Sequence, residues 1–425
     1  VALLLAFGAA ACSSTSSTST TTTSGGGSSS GANGRTIPQS AYSDHTGVTA
    51  TQVKIGNVST LSAGLFKGAQ VGTQAYVDYV NSTGGVNGRK LALDNGDDSF
   101  TGAGNKQATQ NALANDLALV GNFSLEDSYG GAVLAANPGF PDVSQVLDNA
   151  TNKLPNVYSP IPLKDGWSSG QMTYYKKKFA ADSSYAGALL ADSPAAAQTW
   201  QGEKYVAEQE GFKFIYEKTY AVTQTDFTQN VVAMKNAGVK ILFIDQMPPN
   251  YASSVLKALS QQNFHPQVLL GAATYSNALI PAAGGAANVN GAFLAQNLTL
   301  YQGADASSVP AVGTFQHWVQ EVSPGFKPDL FTLYGWISAE LFAQALKGAG
   351  SNPSRGSLLE ALSKITSFNG SNISATSNPA ASQPPHCYLI AEVVNGEFQR
   401  VDDPPVSSST AGFRCDGSYV VKPGT

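Results

Sequence analysis

The 425-residue chain has 24 basic and 29 acidic side chains, a net charge of -5, and 12% charged against 42% hydrophobic residues. That balance excludes a largely disordered protein and supplies enough chain for two or three folded domains. Lys and Arg are nowhere concentrated among aromatics, which argues against a nucleic-acid surface; the densest basic run, Lys176–Lys178, reads as a solvated helix face.

The chain opens on its longest apolar run, VALLLAFGAAA at residues 1–11. It falls short of the roughly 20 residues that span a bilayer but suits the hydrophobic region of a signal peptide. The charged region that normally precedes such a run is expected upstream of Val1. Cys12 follows three alanines and resembles the acylation site of bacterial lipoproteins, with Ala9 in the position usually held by leucine. No charged residue occurs from Ser13 to Gly34. Such Ser/Thr/Gly composition cannot bury enough surface to fold, so residues 12–50 are expected to be a lipidated Cys and a flexible tether. Cys387 and Cys415 are an even pair in an exported chain and are expected to form a disulfide. The four histidines, His45, His265, His317 and His386, are scattered without ligand spacing, so no metal or other cofactor is expected.

After the tether, Val53, Ile55 and Val58 mark a β-rich run. Ala69, Gly72, Tyr76 and Val80 then fall at helical spacing, and the glycines of GGVNG stop that helix. RKLALDNGD reads as a second strand, Asn105–Asp116 as a helix and LALVGNF as a third strand. The alternation breaks at the Pro- and Gly-containing segment VYSPIPLKDGWSSG and then resumes. YAGALLAD, FKFIYEKTY, VKILFID, QVLLGAA and GAFLAQN read as strands, with helices at Gln198–Glu210 and in DFTQNVVAMKNAG. In the helix after VKILFID, Tyr251, Val255, Leu256 and Leu259 share one face. Two series of strand–helix units predict an α/β protein of two doubly wound parallel-sheet lobes joined by a hinge. TSFNGSNISATSNPAASQPP reads as a long, mobile surface loop.

In this order the segments VKIGNVSTLSAG, AYVDYVNSTGGVNGRKLALDNGDD, LVGNFS, DFTQNVVAMKNAGVKILFID, VLLGAATYSN, LYGWISAELFAQALKGAG and VVNGEFQRV resemble the type I periplasmic solute-binding proteins. The resemblance is to the branched-chain amino acid (Leu/Ile/Val) group, receptors of ABC importers, and it covers about residues 51–402. It implies three crossings between lobes, with lobe one at 51–165 plus about 290–365 and lobe two at 166–289 plus about 366–420. It also implies a small-molecule ligand held in a cleft between the lobes, ABC permease subunits as partners, and a monomer touching the membrane only through its lipid anchor.

Ligands of open parallel sheets sit outside the carboxyl ends of the strands. The candidate ligand-binding residues of lobe one are therefore Thr60, Ser62, Ala63, Gly64, Phe123, Ser124, Ser144 and Gln145. Hydroxyls and backbone N–H groups there suit a carboxylate, although Ser62 and Ser124 equally suit helix capping. In lobe two the candidates are Asp192, Ala196, Met247, Thr274 and Tyr275. The family pattern places an acid after the last of these strands to pair with an α-ammonium, and GAATYS has none. Asp192 or Asp245 is a substitute for it, or else a cap; Tyr275 either stacks on a ligand or packs beneath the rim.

An enzyme is not expected: G-x-S-x-G, P-loop and H-E-x-x-H patterns are absent, and GAGNKQ lacks the third glycine of a dinucleotide site. The expected function is an extracytoplasmic, lipid-anchored receptor that delivers an amino acid, amide or small carboxylate to a permease. A ligand-sensing module that signals to a kinase or regulator is the alternative on the same scaffold, and a surface adhesin is a third.

Overall fold

The computed structural model describes residues 28–30, 34–64, 66–221, 223–244 and 247–423. Cys12, most of the Ser/Thr/Gly tract, Asp245 and Gln246 lie outside the described residues.

A short ladder of β1 (Ser28–Ser30) with β2 (Thr36–Pro38) precedes β3 (Gln52–Ser59). Then follow α1 (Lys67–Ser82), β4 (Lys90–Asp97), α2 (Gly102–Asn115), β5 (Leu119–Val120), α3 (Asp127–Ala136), β6 (Asp142–Val143) and α4 (Asn149–Asn152). α1 ends at the predicted glycines, where Gly84 and Gly85 turn the chain at φ 109° and 83°. The four strands form a parallel sheet in the order β4-β3-β5-β6. Consecutive residues of β5 serve different cores. Leu119 packs in the cluster of Val58, Ala108, Ala112 and Leu134, and Val120 in the cluster that holds Ile55 and Val71. Strand alternation puts those clusters on opposite faces, so helices cover the sheet on both sides.

The second sheet is built from β8 (Ala186–Ala191), β9 (Phe214–Tyr220), β10 (Ile241–Phe243), β11 (Gln267–Gly271), β12 (Phe293–Gln296), β13 (Leu389–Val394) and β14 (Glu397–Arg400). Its order is β14-β13-β12-β11-β10-β8-β9, parallel from β9 to β12 and antiparallel for the last two strands. Asn395 and Gly396 close that final hairpin at φ 53° and 80°, the left-handed pair such a two-residue turn requires. The helices of this lobe are α5 (Ser169–Lys178), α6 (Pro194–Gln209), α7 (Thr228–Ala237), α8 (Pro249–Gln261) and the short α9 (Leu279–Ala282). Val255, Leu256 and Leu259 of α8 are buried, as their spacing predicts. A small ladder of β7 (Gly166–Ser168) with β15 (Tyr419–Val421) lies beside them. Between β12 and β13 the chain makes α10 (Pro310–Val322), α11 (Leu330–Gly348) and α12 (Arg355–Leu362), and both α10 and α11 pack on α1.

Three expectations are corrected. Residues from about 290 are expected in lobe one, yet Phe293–Gln296 pairs with β11, so the chain leaves the second sheet only after Gln296. The reading of GAFLAQN as the next strand after QVLLGAA agrees with this pairing; the boundary at about 290 does not. The flexible tether is expected to reach residue 50, but Ile37 and Ala41 are buried and the turn Gln39–Ser43 packs on α12. There Gly356 is obligatory, because a Cβ would lie 2.6 Å from the Tyr42 nitrogen. Residues 366–385, expected as a mobile loop, bury Phe368, Ile373 and Ala380 and pair Phe368 with Ser377.

Arg355 joins the N-terminal arm to lobe one from a site only 5% exposed. Its guanidinium donates to the Leu113 and Asp116 carbonyls at 2.5 and 2.7 Å and to Asp44 at 2.8 Å. It also lies 4.5 Å from the Phe140 ring centroid. Arg355→Ala strands a carboxylate and two carbonyls, and should lower the stability of the fold by roughly 3–5 kcal/mol in urea unfolding. A change below about 1 kcal/mol would show that the arm contributes nothing.

Candidate functional site

The carboxyl ends of the first sheet are held by two adjacent acids at the end of β4. Asp97 Oδ1 accepts the backbone N–H groups of Leu61, Ser62 and Ser99 at 3.1, 3.2 and 2.9 Å, and its Oδ2 accepts the Ser62 hydroxyl. Partial desolvation opposes ionisation, but the bonds from Ser62, Ser99 and Leu61 together hold this carboxyl below the ordinary range. Asp98 faces the other way. Its Oδ1 accepts the Phe100 N–H at 2.8 Å, and its Oδ2 accepts Asn105 Nδ2 at 3.2 Å and the Ser124 hydroxyl. Three strand-end loops are thereby fixed to one dipeptide.

These contacts give each of the two serines a protein partner. Ser62 is exposed and donates its hydroxyl to Asp97. Ser124 is buried, donates to Asp98 and accepts the Glu126 N–H at 2.9 Å at the start of α3. Ala63 and Gly64 complete a single 3-10 turn with Ser62. Phe123 sits in an aromatic cluster, 4.9 Å from Phe66 and 4.6 Å from Phe331 between ring centroids. Thr60 shares this neighbourhood through its N–H bond to the Phe123 carbonyl at 3.3 Å. It is buried, and its hydroxyl has no hydrogen-bond partner among the described residues.

Ser144 and Gln145 follow β6. The Ser144 hydroxyl donates to Asp142 at 2.5 Å and accepts the Asn122 N–H at 3.0 Å. Gln145 accepts the Ser159 hydroxyl at 2.9 Å, while its Nε2 has no partner among the described residues. A cavity of about 30 Å³ lies beside Asp142 and Gln145, lined by polar Asn105, Asn122, Ser124 and Asp127 and by apolar Val58 and Leu134 among others. That is room for one water molecule. Burial pushes the Asp142 carboxyl up to about 7, against the pull of the Ser144 hydrogen bond and with Asp127 adding repulsion.

The lobe-two candidates divide. Asp192 is exposed, and Ala196 lies in α6, its N–H capped by Ser193 Oγ at 3.2 Å. Thr274 is buried and donates to the Gly271 carbonyl at 2.8 Å. Met247 and Tyr275 are core residues. Tyr275 is 2% exposed, wedged 5.0 Å from Tyr301 and 4.9 Å from Phe398, so it packs beneath the rim and presents no face for stacking. Sequence reasoning missed Asp97, Asp98 and Asn122 as organisers of the site. The signal was there: an Asp-Asp pair closing a strand ahead of Ser-Phe-Thr predicts side chains that bond backbone N–H groups two residues on.

The chain matches the model of the periplasmic binding protein family over residues 52–397 and belongs to that family. Leu/Ile/Val-binding protein homolog 1 of Brucella abortus is 27% identical over 299 residues, 67% of this chain and 75% of that protein. Among solved structures, the fatty acid ABC transporter substrate-binding protein from Thermomonospora curvata superposes with a TM-score of 0.67 at 18% identity, covering 89% of this chain and 95% of that one. The substrate binding protein LivJ from Streptococcus pneumoniae, solved with isoleucine, gives 0.66 at 18% identity, with 83% and 99% covered. At such identity these two structures speak for the fold: two α/β lobes of the type I class. Among the described residues no helix is long and apolar enough to cross a membrane.

Because Asp142 is raised from 3.8 to about 7, its contribution to stability is full below about pH 4 and is lost as pH rises through about 7. Asp142→Asn keeps the shape and removes the titration. Melting temperature followed from pH 4 to 8 should fall less steeply in this variant; an unchanged slope would remove Asp142 from the account.

Proposed function

We propose that this chain is an extracytoplasmic solute receptor of an ABC import system, which captures a small carboxylate or amide between its lobes and passes it to a permease. The observation that carries the reading is the family match over residues 52–397, which spans both sheets with their strand-end loops. The named relatives are binding proteins rather than enzymes, and the structural neighbours include substrate-binding proteins of ABC transporters.

The ligand class follows from donors and acceptors. The Thr60 hydroxyl is buried with no partner among the described residues, whereas Gln145 borders the one-water cavity. Leaving such a hydroxyl unmet costs about 1–3 kcal/mol, so it favours a ligand with a polar group that can hydrogen-bond to it. Gly271–Ala278 offers no carboxylate to an α-ammonium. A carboxylate or amide without an amino group fits both facts better than an α-amino acid does. The amino-terminal tract and Cys12 would hold the receptor at the membrane through acyl chains, two or more of which anchor stably where one is marginal. Cys387 and Cys415 place their sulfurs 2.12 Å apart, and a disulfide there suits an oxidising compartment.

A thermal-shift screen of amino acids, amides, small carboxylates and aromatic acids tests the reading. A true ligand at about 100 times its Kd should add about 2.7 kcal/mol of stability. Thr60→Val should then weaken binding on the order of 10-fold, with its melting temperature unchanged or higher, because the lost hydroxyl has no partner among the described residues. A screen in which no small molecule stabilises the protein would overturn the receptor reading. Equal affinity in Thr60→Val would exclude that hydroxyl from the site.

A further inference from the structure

Residues 34–51 and 398–423 flank the family-matched span, and both return to the segments that connect the two sheets. The chain passes between the sheets at about 157–166, 297–309 and 365–388. Resting on the receptor reading above, we propose that these flanking segments form a collar around the crossings. Within it, Arg35 and Arg400 are positioning residues that set solute affinity through the hinge without touching the solute.

The amino-terminal half of the collar is Arg35. Its guanidinium donates to the Pro155 and Val157 carbonyls at 3.0 and 2.9 Å at the start of the first crossing. It reaches the third crossing as well, at the Ala380 carbonyl (3.0 Å) and the Ser382 hydroxyl (2.5 Å). The cation lies 4.2 Å from the Tyr158 ring centroid. One planar fork therefore ties two crossings together where they leave lobe one, a geometry lysine cannot reproduce.

The carboxyl-terminal half holds the other ends. β15 pairs with β7, Tyr419 donates to the Lys164 carbonyl at 2.8 Å, and the Lys422 N–H donates to the Asp165 carbonyl at 2.8 Å. Tyr388 and Arg414 exchange backbone bonds at 2.9 and 2.7 Å beside the Cys387–Cys415 pair. Arg400 grips the second crossing: Nε and Nη2 donate to Asp305 at 3.0 and 2.7 Å, and Asp305 in turn accepts the Leu300 N–H at 2.8 Å. Both partners of this ion pair are largely buried, with side chains 14% and 6% exposed. At the lobe-two end of the first crossing, Asp165 accepts Asn149 of α4 at 3.0 Å and Gln198 of α6 at 2.7 Å, one donor from each lobe.

Hinge motion concentrates backbone rotation in a few residues. Fixing the first and third crossings at both ends, and the second at Asp305, leaves fewer torsions to order when the lobes close, so less conformational entropy is lost on binding. Loosening the collar should therefore weaken solute binding and widen the lobe motion.

The test compares Arg35→Ala, Arg35→Lys and Arg400→Met in the full chain, with Arg89→Ala as the control. Arg89 also donates to two backbone carbonyls, those of Thr49 and Ser351, but away from the crossings. With the solute found in the screen, the collar variants should lose affinity on the order of 10-fold. They should also show a larger solute-induced change in radius of gyration by small-angle scattering, while Arg89→Ala at similar melting temperature shows neither. Affinities that track melting temperature alone, in Arg89→Ala as in Arg35→Lys, would overturn the collar. The ligand-free protein gives a readout independent of the receptor reading. Trypsin should cut faster after Lys164, an exposed crossing residue, in Arg35→Lys and Arg400→Met than in Arg89→Ala. Equal rates would overturn the collar even if a solute binds; faster cutting with no solute found would keep it and discard the receptor reading.

Discussion

Two adjacent carboxylates, Asp97 and Asp98, are the constraint on which the upper edge of lobe one depends. Side chains of successive strand residues point to opposite sides, so one carboxylate reaches the loop after β3 and the other reaches α2 and the loop after β5. Ser99 and Phe100, directly behind them, both adopt left-handed backbone at φ 51° and 55°. Such conformations cost about 1–2 kcal/mol per residue and persist only where the surroundings fix them. Here the fixing groups are the same carboxylates, which accept the Ser99 and Phe100 N–H groups. A ligand meeting this edge meets loops already ordered, which lowers the entropic cost of binding.

Charge is used sparingly, and a few charged groups lie inside. With only 12% charged residues, the chain still buries Arg355 against Asp44 and Arg400 against Asp305. Each guanidinium is saturated by backbone carbonyls as well as by its acid, which is the condition under which a buried ion pair offsets its desolvation. These pairs sit where chain segments distant in sequence meet, rather than within a single element. They act as joints between the core lobes and the segments that flank them.

Much of the architecture was legible in the sequence, because strand–helix alternation and glycine stops are local signals. The two lobes, the end of α1 at Gly84 and Gly85, and the buried face of α8 follow from spacing alone. Long-range pairing was not legible. Nothing local tells that the polar stretch at 366–385 folds back so that Phe368 pairs with Ser377. The arm at 35–50 was hidden by its low-complexity neighbour, although Ile37, Ala41 and Arg35 were the residues able to dock it. At the site, strand-end positions were identifiable, but which side chains turn inward was not: Met247 and Tyr275 join the core.

The central claim is that solute is captured at the carboxyl edges of both sheets. Amide hydrogen exchange with and without a saturating ligand tests it most directly. The account predicts slowed exchange at Thr60–Gly64, Asn122–Leu125, Ser144–Leu147 and Gly271–Tyr275, in both lobes together. Binding by calorimetry with protection confined to one lobe, or with none in these loops, would contradict it.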